Sequence, residues 1–310
     1  MIETVVSMEL PVDEKLQIRK QHIEPADFEG SEKRISIVTG IHGDELEGQF
    51  VCYELVRRIQ EHPEYLHGIV DIYPALNPLG IDSITRGMPM YDLDMNRVFP
   101  GDEEGSMLES VAEQIIDELV GSDYCVDIHA SNIFLTEMPQ VRINENVAER
   151  LVPLAKELNM DLLWIHASAT VLESTLAYAM NSRNVPTLIV EMGVGMRIQE
   201  EYGNQLVEGI LNLMKTEGIW SGPVEKVRTP MVSYDREVGF VNAESSGIYL
   251  PCRTIGARVK QGEILGNIVD PLDGKIQEVV CAPIDGILFT RREYPVVYSG
   301  SLLGRVMGGN

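Results

Sequence analysis

Basic residues are scarce in this chain: 25 lysines and arginines stand against 48 aspartates and glutamates, a formal charge of −23 over 310 residues. A field of that sign repels nucleic acid and anionic lipid, and no long Lys/Arg run offers a local exception, so neither nucleic acid nor a membrane is expected as a partner. An anionic small molecule would have to be held by a few local arginines. Cysteine is scarce too. Cys52, Cys125, Cys252 and Cys281 are scattered and form no C-x-x-C pair, which argues against a disulfide framework and for reduced, structural thiols. No stretch approaches the ~18 apolar residues of a membrane span. Met1 to Pro11 lacks a basic segment followed by an apolar core, so no secretory signal is expected and a cytoplasmic protein is. What remains is ordinary for a globular protein, with 44% apolar and 24% charged residues and a length suited to one large or two moderate domains.

Two alternating segments, Glu3–Met8 and Lys15–Lys20, suggest extended chain at a sheet edge. Strand and helix then alternate from about residue 34 to 216. Arg34–Thr39, Gly68–Pro74, Tyr124–His129, Leu162–Ile165 and Val185–Val190 read as buried strands. Leu46–Gln60, Met107–Val120, Val147–Leu158, Ser174–Asn181 and Glu200–Lys215 read as helices. That alternation predicts an α/β fold, a mixed, largely parallel sheet with helices on both faces. Leu79 to Glu104 shows no clean period, and loops of that length are commonly functional. From about Trp220 the helical period disappears and short apolar segments recur between Gly, Pro and Asp turns, which predicts a small all-β C-terminal domain. The division expected is 1–224 and 225–310. Gly256–Gly266 resembles the turns of biotinyl- or lipoyl-type barrels, but no exposed-hairpin lysine signature accompanies it, so a swinging cofactor is not expected.

The densest chemistry lies directly behind the first buried parallel strand, in Ile41-His42-Gly43-Asp44-Glu45-Leu46-Glu47-Gly48. His42 and Glu45, three residues apart where strand gives way to helix, can both face one cation. Imidazole and carboxylate suit Zn²⁺, and a hydrolytic zinc commonly takes three protein ligands. His129, ending another buried strand, is the candidate third, because strand ends of a parallel sheet converge in space. Asp127, on the same strand face, can orient its second ring nitrogen. Glu191 ends the run Thr187–Val190 and is the candidate general base. Arg86, Asn96 and Arg97 lie in the irregular segment, where guanidinium groups can hold a carboxylate or polarise an amide oxygen. His166 is a further histidine that could face the cleft.

His42-Gly43-Asp44-Glu45, Asn77-Pro78, Arg86, Asp94-x-Asn96-Arg97-x-Phe99-Pro100-Gly101, Asp127-x-His129 and Glu191-x-Gly193, in that order, resemble the succinylglutamate desuccinylase/aspartoacylase family, a branch of the zinc-carboxypeptidase superfamily. The resemblance implies a zinc-carboxypeptidase-like fold and one Zn²⁺ per chain held by His42, Glu45 and His129. It implies Glu191 as the residue that activates water, Arg97 near the scissile carbonyl, and Asn96 and Arg86 in substrate binding. Members remove an acyl group from an amino-acid nitrogen. Two departures bear on the substrate. About three extra residues, Gly87–Pro89, follow Arg86, and Asn181 stands where the family carries an arginine. Arg183 and Arg197 are the candidate replacements for that carboxylate clamp. The expected function is therefore a zinc amidohydrolase acting on a small N-acylated amino acid or related amine. A carboxypeptidase-type peptidase and a non-catalytic metal-binding or ligand-binding protein are the alternatives. A homo-oligomer is left open.

Overall fold

The computed structural model describes residues 1–91, 93–167 and 173–308. A hairpin of β1 (Ile2–Glu9) and β2 (Lys15–Ile23) precedes β3 (Arg34–Thr39), α1 (Glu47–Glu61), β4 (Ile69–Tyr73), α2 (Pro78–Ser83), α3 (Met107–Leu119) and β5 (Tyr124–Ala130). Then come β6 (Leu135–Asn144), α4 (Ala148–Ala155), β7 (Leu162–His166), α5 (Leu176–Ser182), β8 (Thr187–Gly193) and α6 (Glu200–Thr216). The rest is strand: β9 (Met231–Tyr234), β10 (Val238–Asn242), β11 (Gly247–Pro251), β12 (Arg258–Val259), β13 (Ile264–Val269), β14 (Ile276–Cys281), β15 (Gly286–Arg292), β16 (Val296–Val297) and β17 (Leu302–Met307).

Among the described residues the main sheet has 13 strands, in the order β1-β2-β4-β3-β5-β8-β6-β15-β17-β10 with β7, β9 and β12 attached off that path. Its centre, β4-β3-β5-β8, is parallel. Crossover helices cover both faces of that centre, so its strands are apolar on both sides. One core packs α1, α4 and α6 against Ile35, Ile37, Val126 and Ile128. The other packs α3 and α5 against Val38, Tyr73 and Cys125. The two extended segments expected at a sheet edge are there and pair with each other as a hairpin, in which β2 also pairs antiparallel with β4. The protein is thus mixed α/β with a β-rich C-terminal region.

Within the α/β part of the chain, the strand that sequence patterning did not suggest is β6. It runs antiparallel to β8 on one side and to β15 on the other. The C-terminal strands therefore continue the sheet that begins with the parallel centre. They also build a second sheet, β14-β13-β11-β16, over a core of their own that includes Tyr249, Ile268, Leu288 and Val306. Among the described residues no helix is long and apolar enough to cross a membrane.

Candidate active site

The parallel centre brings four expected residues to one edge of the sheet. His42 and Glu45 follow the C-terminal end of β3, His129 is near the end of β5, and Glu191 is near the end of β8. His129 and Glu191 are direct register partners on adjacent strands. The loop after β3 can pass close to the Asn77–Gly80 turn because residue 43 is glycine: a Cβ there would lie 2.0 Å from the Gly80 carbonyl carbon. Gly48 likewise lets α1 start against the end of β3, since a Cβ there would meet Oγ1 of Thr39 at 2.0 Å.

Three donor groups converge. His42 Nδ1 lies 2.8 Å from Glu45 Oε1, and His129 Nδ1 lies 3.0 Å from Glu45 Oε2. Ligand atoms of His42, Glu45 and His129 all fall within 4.8 Å of one another, and all three residues are buried. The remaining nitrogen of each ring faces a carboxylate. His129 Nε2 is 3.1 Å from Asp127 Oδ2, an ion-pair contact, since neither Asp127 oxygen has an aligned hydrogen-bond donor. His42 Nε2 is 3.0 Å from Asp94 Oδ1. Two imidazoles and a carboxylate, with Nδ1 of both rings turned inward and acids on both outer nitrogens, are a donor set suited to Zn²⁺.

The electrostatics fit the same arrangement. Burial opposes the charged form of His129, but Asp127 and Glu45 outweigh it and hold its pKa well above the usual histidine value. Burial likewise opposes charge on His42, and Glu45 and Asp94 overcome it. Burial would raise Glu45, yet the two histidines hold it below the usual carboxylate range. A cation placed among these groups would displace the histidine protons. Glu191 differs: burial, with Glu137 and Glu45 adding to it, pushes its pKa up to about 7 against the pull of Arg142 and His129.

A cavity of about 620 Å³ opens over this cluster. Arg86, Asn96, Arg97, Asp127 and Glu191 line it with the two histidines, and Val147, Leu151 and Ile189 line its apolar part. Arg86 donates from Nη1 to Glu45 Oε1 at 2.7 Å and approaches Asp94 at 3.5 Å. Arg97 donates to the carbonyl of Asn96 at 2.6 Å and stays half-exposed. Asn96 accepts from the Leu176 amide at 2.9 Å, tying the irregular segment to the start of α5.

Two expected arginines are elsewhere. Arg183 ends α5 on the surface and donates to the Ala179 carbonyl, and Arg197 is exposed in the loop after β8, donating to the Met196 carbonyl. Neither lines the cavity. At the end of α5 the arginine side chain folds back on its own helix, and Arg197 is carried past the sheet edge by the turn at Gly193. Asn181 does line the cavity, but its amide is engaged by Arg150 and by the Ala177 and Thr187 carbonyls.

Two participants were missed in the sequence. Asp94 both backs His42 and caps the turn Met95–Arg97. Its only signal was an acid opening Asp-x-Asn-Arg. Arg142, on β6, lines the cavity and places Nη1 3.1 Å from Glu191 Oε1. His166 also lines the cavity, its ring tilted against that of Trp164 with centroids 4.1 Å apart and its Nδ1 3.2 Å from Asp235. Burial and Arg142 push its pKa down to about 4 despite Asp235, so it is neutral at physiological pH.

A buried His–Glu–His cluster that could hold a metal ion, at the C-terminal edge of a parallel sheet with an acid on the neighbouring strand, is the site this α/β fold builds. Residues 31–216 match the catalytic domain of the succinylglutamate desuccinylase/aspartoacylase family, and the chain belongs to that family. It is 27% identical over 263 residues to the N-alpha-acetyl-L-2,4-diaminobutyric acid deacetylase of Halomonas elongata, covering 82% of this chain and 75% of that protein. Among solved structures it resembles a succinylglutamate desuccinylase/aspartoacylase from Rhodobacter sphaeroides (TM-score 0.83, 24% identity, 100% of this chain and 96% of that one). The product-bound ectoine utilization protein EutE (DoeB) from Ruegeria pomeroyi has the same fold (TM-score 0.86, 20% identity, 100% and 95% coverage).

Proposed function

We propose that this protein is a zinc-dependent deacylase that hydrolyses the amide of a small N-acylated amino acid or related amine, with residues 1–224 as the catalytic unit and 225–310 as a β-rich unit beside it. The observation that carries the reading is the placement of Glu191 in register with His129, next to the three-donor cluster. His42, Glu45 and His129 would hold the zinc, which would supply Lewis-acid polarisation of the acyl carbonyl and a more acidic water. Asp94 and Asp127 hold the two rings with Nδ1 inward. Glu191, with a pKa near neutrality, takes a proton from water and delivers it to the leaving amine, as a carboxyl tuned to the working pH can do in both directions. Arg97 lies on the cavity wall where its guanidinium can stabilise the developing oxyanion. Arg86 and Asn96 orient the substrate, and Arg86 supplies local positive charge for a substrate carboxylate within a strongly acidic protein.

The named relative's action on an N-acetylated diamino acid makes N-acetyl-2,4-diaminobutyrate the first compound to assay, followed by N-acetyl, N-succinyl and N-formyl amino acids. Metal content is measured on the same preparation, expected at one zinc per chain. Glu191→Gln should keep the zinc and lose about 10²- to 10⁴-fold in kcat. Full turnover by that variant removes Glu191 from the mechanism. Release of C-terminal residues from longer peptides, in preference to deacylation, would replace the proposal by the peptidase reading.

A further inference from the structure

Arg305, on β17, belongs to the C-terminal strands, yet its side chain leads to the cleft. Its Nη1 donates to Glu137 Oε1 at 2.8 Å and to Thr290 Oγ1 at 3.3 Å. Glu137, on β6, is only 1% exposed, and its second oxygen accepts from Arg142 Nη2 and Gln140 Nε2, each at 2.6 Å. Arg142 Nη1 then lies 3.1 Å from Glu191 Oε1. Guanidinium, carboxylate, guanidinium and carboxylate thus alternate without a gap from β17 through β6 to β8. Both guanidiniums also approach the Trp164 ring, at 5.3 Å for Arg305 and 5.5 Å for Arg142.

The chain of contacts has a physical logic. Arginine carries about 2 kcal/mol of rotamer freedom, so a guanidinium holds a partner in place only if it is itself held. Arg142 is held by one carboxylate and one aromatic face. Glu137 is a single buried acid shared between two cations, and loss of either cation changes the balance of charge around it. Arg142, on β6, is the cation that faces Oε1 of Glu191. The orientation of the proposed base is therefore set from outside the strand that carries it.

We infer that Glu137 and Arg305 are positioning residues for Glu191, acting through Arg142, so that the C-terminal strands fix the orientation of the base. The inference rests on the reading of Glu191 as that base. The test uses the zinc-loaded full chain with Arg305→Ala, Arg305→Lys, Arg142→Lys and the double variant Arg305→Ala/Arg142→Lys. Arg305→Ala should lower kcat about 10- to 100-fold, the scale of a small misplacement of a reacting group, and leave KM nearly unchanged. Arg305→Lys should recover most of the loss, because the contact with Glu137 uses Nη1 alone and an ammonium can make it. The double variant should be no slower than Arg142→Lys. A rise in KM with kcat preserved, or losses that multiply in the double variant, would overturn the inference. Should the wild-type chain hydrolyse no acylated amine, the deacylase reading fails by itself. The melting temperatures of wild type, Arg305→Ala, Arg142→Lys and the double variant then decide the linkage: non-additive shifts support it, and additive shifts defeat it.

Discussion

Gly43→Ala is the most direct perturbation of the cluster, because it adds one methyl group between two of the three donors. The added Cβ would sit 2.0 Å from the Gly80 carbonyl carbon, 2.3 Å from its oxygen and 2.4 Å from the Ile81 nitrogen. Carbon atoms pack at about 3.5 Å, so the two stretches of backbone must part by about 1.5 Å. Backbone cannot swing aside as a long side chain can, and the Gly43 amide also donates to the Arg86 carbonyl at 3.2 Å. The displacement is borne by the segment carrying His42 and Glu45. Metal–donor distances tolerate only about 0.2 Å. Zinc affinity should fall by about 10- to 100-fold or more, since losing only the outer support of a ligand already costs that much. The overpacking itself should cost about 1–3 kcal/mol, a melting temperature lower by roughly 2–10 °C. Gly80→Ala is the matched comparison. Its Cβ would meet the Asn77 side chain at 2.3 Å, not backbone, so zinc affinity should suffer less. The assays are chelator competition for zinc affinity and thermal unfolding of the metal-free chain. A Gly43→Ala protein that binds zinc and melts as the wild type does would refute the close approach from which the reasoning starts.

Asp127→Asn should weaken zinc binding by about 10- to 100-fold while leaving the fold intact, because the His129 ring loses the charge behind Nε2. Chelator competition reads this directly, and an unchanged affinity would show that Asp127 does not support the ring. His166 should make the protein acid-sensitive. Burial lowers its folded-state pKa from 6.5 to about 4, so the stability it contributes is present above pH 6.5 and is lost as pH falls toward 4. The loss is on the order of 2–3 kcal/mol. Unfolding midpoints of His166→Gln should therefore decline less across that interval than those of wild type, and parallel profiles would contradict the assignment.

The parallel centre was legible because each of its strands is a short, mostly apolar and β-branched run set between turn and helix signals, and such runs have few other destinations. Arg34–Thr39 is a strand over the bounds its sequence suggests. The three donors followed from the same logic, since they end such runs or directly follow one. β6 was not legible. Pro139 interrupts it, and Glu137, Gln140 and Arg142 point polar groups into the interior, so neither alternation nor a continuous apolar run is present. Those polar groups satisfy one another across strands that are far apart in sequence, a relation no local pattern encodes. Missing β6 also meant missing Arg142. Arg183 and Arg197 failed for the opposite reason: proximity to Glu191 in sequence suggested a clamp, while the direction in which a side chain leaves a helix end or a turn decides where it goes.

The pairing of His129 with Glu191 across adjacent parallel strands has one more consequence. Neighbouring strands lie about 4.8 Å apart because backbone hydrogen bonds hold them there. The spacing between proposed metal ligand and proposed base is thus built into the ladder and owes nothing to loop length. Insertions such as the residues after Arg86 can reshape the cavity wall without stretching that spacing. A chain organised in this way can acquire new substrates by loop variation while keeping its reacting groups at a constant separation.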